Sequence, residues 1–120
     1  MHIMIVDDDE AFTQMIALML NMNGHTVSLQ HTAEGALESA LQVSPQAFLI
    51  DIGLPGMNGY EMARLLRESP STEKSMLIAI TGYASPKNRE RSYAAGFDHH
   101  LFKPIDTAKL STMLNELKLH

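Results

Sequence analysis

The sequence predicts an α/β domain of three layers, a five-stranded parallel sheet of order 2-1-3-4-5 sandwiched between five helices. Three observations carry this expectation. Short apolar, β-rich runs alternate five times with helical patterns, the mark of βαβ units wound around a parallel sheet. The runs at 3–6, 48–50 and 76–80 are continuously apolar, as strands buried on both faces must be, whereas 26–30 alternates and 99–102 begins polar, as edge strands do. Finally, 120 residues with 45% hydrophobic and 19% charged side chains suffice for one core, with no tract resembling a linker. Residues 1–120 are therefore expected to form a single domain. With strands two and five at the edges, right-handed crossovers give the stated order.

Taken in turn, strand one at 2–6 runs into Asp7-Asp8-Asp9. Helix one carries Phe12, Met15, Ile16 and Met19 on one face, its methionines expected as core filler, and Gly24 is its stop signal. Strand two occupies 26–30. Helix two, over 32–43, turns Ala33, Ala36, Leu37, Ala40 and Leu41 inward and is closed by Pro45. Strand three at 47–50 delivers Asp51. Helix three starts at Asn58, with Glu61 at capping-box spacing, and is expected to bury Met62, Leu65 and Leu66. Strand four at 76–80 delivers Thr81. Helix four has Ser85 as N-cap, Pro86 at its first position and Gly96 beyond its end. Its polar stretch 87–92 leaves only Tyr93, Ala94 and Ala95 to bury, which predicts the least firmly anchored helix. Strand five at 99–102 delivers Lys103. Helix five opens at Asp106 and presents Leu110, Met113, Leu114 and Leu117 at helical spacing.

Composition removes several classes of function. Without cysteine there is no disulfide framework, thiolate metal site or thiol nucleophile, which suits a reducing compartment. The longest apolar runs are about five residues against the roughly 20 needed to span a bilayer, and the first residues lack the basic segment of a secretory signal. A cytoplasmic domain without membrane contact is expected. The net charge of −5 argues against direct contact with nucleic acid.

In the expected strand order the chain reverses direction between strands one and three, and ligands bind outside the carboxyl ends of strands at such a point. Asp7, Asp8 and Asp9 end strand one and Asp51 follows strand three, so at least three carboxylates converge there. Carboxylates so close raise one another's pKa unless a cation lies among them, and an all-oxygen site without cysteine suits Mg²⁺ or Mn²⁺. Thr81 and Lys103 bring a hydroxyl and an ammonium to the same rim. Taken singly, an Asp or Thr at a strand end is usually a helix cap. The joint placement is what points to a site.

These residues stand in the segments Ile5-Val6-Asp7-Asp8-Asp9, Leu49-Ile50-Asp51-Ile52-Gly53-Leu54-Pro55-Gly56-Met57-Asn58-Gly59, Ala79-Ile80-Thr81-Gly82 and Lys103-Pro104. Through them the chain resembles, over essentially its whole length, the receiver domains of two-component response regulators and hybrid histidine kinases. That resemblance implies a flavodoxin-like fold. It also implies that Asp51 is the phosphoacceptor, taking a phosphoryl group from phosphohistidine on a histidine kinase or histidine phosphotransfer domain. Asp8, Asp51 and the backbone carbonyl of Gly53 would hold the Mg²⁺, with Asp7 acting mainly through a metal-bound water. Lys103 would contact a phosphoryl oxygen and Thr81 would swing to bond the phosphoryl group. Gly82 would leave the acyl phosphate accessible, and Tyr83 sits where family members tune dephosphorylation. A cis peptide before Pro104 is implied as well, although a trans Pro ending a strand fits the residues equally.

One position departs from the family pattern. Where receivers often carry a Tyr or Phe switch residue, three before the strand-five Lys, this chain has His100. It is read as a toggle, a source of pH dependence, or a solvated edge-strand histidine, the last being the commonest outcome. His99 and His100 point to opposite faces and make no bidentate pair. His2, His25, His31 and His120 are scattered and carry no assigned role.

The segment 96–101, with 51–55, is similar to receivers at the C-termini of hybrid histidine kinases. A stand-alone regulator and a receiver cut from a larger regulator remain open alternatives. Two other readings compete with a phosphorylation switch acting through helix four, strand five and helix five, a face that would also suit a homodimer. A degenerate docking module would have lost one of Asp8, Asp51, Thr81 or Lys103, and none is lost. A Mg²⁺-dependent phosphate-ester hydrolase would need a substrate pocket or cap for which no sequence is spare.

Overall fold

A computed structural model describes residues 1–54, 56–82 and 86–118. The readings placed on Pro55, Tyr83, Ser85 and His120 lie outside these residues. The order is β1 (His2–Val6), α1 (Glu10–Met22), β2 (Thr26–Gln30), α2 (Ala33–Val43), β3 (Ala47–Asp51), α3 (Gly59–Glu68), β4 (Met76–Thr81), α4 (Pro86–Ala95), β5 (His99–Phe102) and α5 (Thr107–Lys118). The strands form one parallel sheet, β2-β1-β3-β4-β5, as the burial pattern of the sequence predicts. β3 and β4 each run one residue further than expected, because Asp51 pairs with Ile80 and Thr81 with Phe102.

Alternation along the strands splits the core in two. Met4, Val6, Phe48, Ile50, Leu77 and Ala79 face the layer of α2, α3 and α4. Ile3, Ile5, Leu49, Ile78, Ile80 and Leu101 face α1 and α5. No helix among the described residues is long and apolar enough to cross a membrane.

Helix capping follows the sequence closely. Asp9 caps α1 by accepting from the Phe12 N–H, Thr32 caps α2 through the Gly35 N–H, and Asn58 caps α3 through the Glu61 N–H. Asp106 accepts from the N–H groups of Ala108 and Lys109 at the start of α5.

The buried faces are corrected at several places. α1 buries Thr13, Ile16, Ala17 and Leu20, while Met15 is 60% exposed and Met22 79%. That helix is apolar nearly all round, so periodicity cannot choose between adjacent stripes. The stripe carrying the small residues Thr13 and Ala17 lets the helix approach the sheet. α2 likewise packs through Ala33, Ala36 and Ala40, leaving Leu41 66% exposed, and Leu65 of α3 is also exposed. In α4 the expected Tyr93 and Ala94 lie outward, whereas Ala95 is buried as expected and Ser92 is buried with it.

Two glycines are required by space. A Cβ on Gly59 would lie 2.8 Å from the Ile52 Cα, so only glycine lets the start of α3 close on the end of β3. Gly96, after α4, has φ +115°, and a Cβ there would lie 2.9 Å from the Arg67 Cγ. Arg67 itself is a brace. Its guanidinium donates to the carbonyls of Glu73, Ser75 and Gly96 and to Asp98 Oδ2, which also accepts from the Leu77 N–H.

Candidate functional site

The sheet places five chain segments around one rim. Asp7 follows β1 and is fully buried. Its Oδ1 accepts from the Asp9 N–H at 2.9 Å, which folds the acidic run back on itself. Asp8 next to it is exposed. Asp51 ends β3, and its Oδ1 accepts from the Gly53 N–H at 2.9 Å. One carboxylate oxygen from each of Asp7, Asp8 and Asp51 lies within 4.8 Å of the others. Opposite oxygens of a hexacoordinate Mg²⁺ stand about 4.2 Å apart, so this hard, all-oxygen donor set suits such a cation after a small closure.

Lys103 follows β5, and its Nζ lies 2.8 Å from Asp7 Oδ2 and 3.9 Å from Asp51 Oδ2. The closer contact is a salt bridge that seats the ammonium on the buried Asp7 Oδ2. The Lys103-Pro104 peptide is cis. The Lys103 N–H donates to the Thr81 carbonyl at 2.9 Å, tying the ends of β4 and β5 together. Thr81 is buried at that end, and a Cβ on the next residue, Gly82, would meet nothing within 4 Å.

Electrostatics follow from this crowding. Burial pushes the Asp51 carboxyl above the usual carboxylate range and the charge of Asp7 pushes the same way, while the Gly53 N–H and Lys103 pull back. Burial alone would lower the Lys103 pKa, but Asp7, Asp51 and Asp9 together overcome it and hold the ammonium above its ordinary value. Among the described residues the site thus sets three carboxylates against the Lys103 ammonium on its edge.

Asp9 does not join the three carboxylates, since it serves as the α1 cap. His100 is not solvated. It is 6% exposed, with Nδ1 3.2 Å from Ser92 Oγ and its ring centroid 5.0 Å from that of Phe102. β5 is a sheet edge, but α4 covers this face of it, and edge position alone does not expose a side chain. His99 lies on the opposite face, 3.0 Å from Glu116 Oε2.

Two neighbours of the site escaped the sequence. His31 Nδ1 donates to the Asp7 carbonyl at 2.9 Å, and Lys103 Nζ lies 4.5 Å from the centroid of the Phe12 ring. Strand pairing holds the signal for the first, because His31 follows Gln30, the partner of Val6. Alternation holds it for the second. Residue 103 shares the parity of His99 and Leu101 and so faces α1 and α5.

Comparison with known proteins identifies the family. The response regulator receiver domain family matches residues 3–115. The signal transduction histidine-protein kinase BarA of Escherichia coli (strain K12) is 30% identical over 118 residues, covering 98% of this chain but 13% of the kinase. This chain therefore corresponds to a small part of that protein. A response regulator receiver domain protein (CheY-like) from Methanospirillum hungatei JF-1 superposes with a TM-score of 0.88 at 31% identity, covering 96% of this chain and 90% of the other. The receiver domain of sensor histidine kinase PA1611 from Pseudomonas aeruginosa PAO1, whose structure has a magnesium ion coordinated in the active site cleft, gives a TM-score of 0.87 at 30% identity, with 96% and 94% covered. The match from residue 3 to residue 115 takes in the carboxyl end of every strand, and this chain belongs to the response regulator receiver domain family of two-component signal transduction.

Proposed function

We propose that Asp51 accepts a phosphoryl group from a phosphohistidine, carried by a histidine kinase or a histidine phosphotransfer domain, and that the charged domain then switches conformation. The observation that supports this best is the convergence of Asp7, Asp8 and Asp51 within 4.8 Å, with the Lys103 ammonium beside them. An Asp51 oxygen attacks phosphorus as the bond to the imidazole nitrogen breaks, and the imidazole keeps that electron pair and takes up a proton. Asp8, Asp51 and the Gly53 carbonyl would hold Mg²⁺ or Mn²⁺, with Asp7 acting through a metal-bound water. The bound cation supplies charge neutralisation for the transferring group. Lys103 contacts a phosphoryl oxygen, and Thr81, ending the neighbouring strand, donates its hydroxyl to another. The open space beside Gly82 admits the donor imidazole and, later, water.

The domain spans 1–120, assists its own phosphorylation and dephosphorylation, and works in the cytoplasm within a hybrid kinase or a response regulator. The α4-β5-α5 face carries the response and suits pairing with a second copy.

Intact mass after incubation with acetyl phosphate tests the acceptor. A Mg²⁺-dependent gain of about one phosphoryl group that vanishes in Asp51→Asn supports the assignment. No adduct with acetyl phosphate or with a phosphohistidine donor would leave only a docking role, and repeated turnover of a generic phosphate ester would point to a hydrolase.

A further inference from the structure

We infer that Phe12 is a positioning residue for Lys103, its ring face holding the ammonium over the acidic cluster by a cation–π contact. The inference rests on the reading of Lys103 as the cation that meets the phosphoryl group. Lys103 Nζ lies 4.5 Å from the Phe12 centroid, well inside the range in which a ring quadrupole attracts an ammonium. The same nitrogen is 2.8 Å from Asp7 Oδ2 and 3.9 Å from Asp51 Oδ2, so the ring and two carboxylates enclose it. Phe12 is itself fixed. Its N–H donates to Asp9 Oδ1 at 3.1 Å, the capping bond that starts α1, and its half-buried ring packs on the core beneath α1 and α5.

The contact matters because the lysine must do two things. At rest it sits on Asp7, and to reach a phosphoryl oxygen on Asp51 it must move toward that oxygen. A lysine stem has many rotamers, so an untethered ammonium would spend much of its time in water. Asp7 tethers it at rest, but does so by occupying one of the N–H groups that the oxygens need. A ring face attracts the charge without taking a particular N–H and tolerates a short lateral shift. Phe12 therefore restrains the ammonium while leaving its three donors for Asp7, Asp51 and the incoming group.

Fluorination of the ring separates this from simple packing. Phenylalanine with one, two or three fluorines, placed at residue 12 alone, keeps shape while weakening the quadrupole. The rate of phosphorylation by acetyl phosphate with Mg²⁺ should fall stepwise, to about fivefold at the end of the series, and similarly in Phe12→Leu. In a Lys103→Ala background Phe12→Leu should cause no further loss. A flat fluorine series, or an equal loss in both backgrounds, overturns the inference. A second measurement is independent of phosphorylation. The Lys103 ε-methylene protons should show a ring-current upfield shift in the wild type that Phe12→Leu abolishes, and its absence in the wild type overturns the inference. Should the wild type accept no phosphoryl group at all, the proposed function fails and the ring-current shift alone decides the role of Phe12.

Discussion

Acid should destabilise this domain through His100, and the size of the effect has a ceiling. The His100 ring is buried between α4 and β5, with Nδ1 satisfied by Ser92 Oγ and Nε2 without a hydrogen-bond partner among the described residues. Protonation would put a second donor and a charge in a place that satisfies neither. Burial, and secondarily the charge of Arg89 on α4, hold its pKa below the ordinary histidine range. The neighbouring strand β4 has no titratable side chain, and His99 faces away toward Glu116. Unfolded, the same imidazole titrates near ~6.5. The unfolded chain thus binds the proton more readily, so the stability His100 contributes is complete above about pH 6.5 and is lost as the pH falls toward its folded value. At pH 5.5 the unfolded imidazole is about nine-tenths protonated, so a ring that stays neutral when folded loses at most about 1.4 kcal/mol between pH 7.5 and 5.5. For a chain of this length that corresponds to about 4–6 °C in Tm. Urea unfolding of wild type and His100→Phe at pH 7.5, 6.5 and 5.5 isolates the contribution, since other histidines and Asp51 cancel in the difference. Wild type should lose ground against His100→Phe as pH falls. A difference that stays constant with pH, or one that moves in favour of wild type, refutes the account.

Arg67→Ala should cost about 2–3 kcal/mol in denaturant melts, because the partly buried carbonyls of Ser75 and Gly96 lose a charged donor, while Arg67→Lys recovers only part of this. Gly59→Ala should destabilise by about 1–3 kcal/mol, the obstructing atoms being backbone of Ile52 and Asp51 rather than a movable side chain. Mg²⁺ should raise the wild-type Tm, and Asp51→Asn should raise the metal-free Tm, since burial and Asp7 both disfavour the Asp51 charge. A metal-free mutant no more stable than wild type would deny that the carboxylates share one site. Hydrogen exchange should find α4 opening at about 3–4 kcal/mol, below global unfolding. Its anchors among the described residues include two cation–π contacts, the Ser92–His100 hydrogen bond and Ala95. Protection of α4 equal to that of β1 would contradict it.

Much of this was legible because the periods are simple. Strand order could be read from which runs are apolar on both faces, and the rim residues from their places immediately after strands. What escaped depends on quantities that one-dimensional patterns do not carry. The rotation of α1 about its axis turned on the small residues Thr13 and Ala17, against a helix apolar on every side. The burial of His100 depended on α4 lying over β5, and the sequence of α4 suggested too little apolar surface to cover anything. Arg67 carried no signal in the sequence, since its partners Gly96 and Asp98 are about thirty residues away along the chain. Phe12 was visible as an inward residue, but its role appears only when the parity of Lys103 is set beside it.

The two ends of the sheet are secured in different ways, and this bears on switching. At the end away from the acids, Arg67 gathers three carbonyls and a carboxylate into one brace that adding charge at Asp51 does not touch. At the acidic end, Lys103 is one of the ties between elements, pairing with Asp7 and sharing a backbone hydrogen bond with Thr81. A phosphoryl group on Asp51 would compete for that ammonium and for the Thr81 hydroxyl together, loosening Asp7 from Lys103 as it does so. Thr81 and His100 lie on the same face of adjacent strands, Thr81 opposite Phe102 and His100 opposite Ala79. A shift of the Thr81 side chain therefore alters the packing around His100, and His100 bears on Ser92 of α4. Because α4 is held by contacts worth about 1 kcal/mol each rather than by a broad apolar face, a change of that size at Thr81 is enough to redistribute its positions. The braced end supplies the fixed frame against which that helix moves.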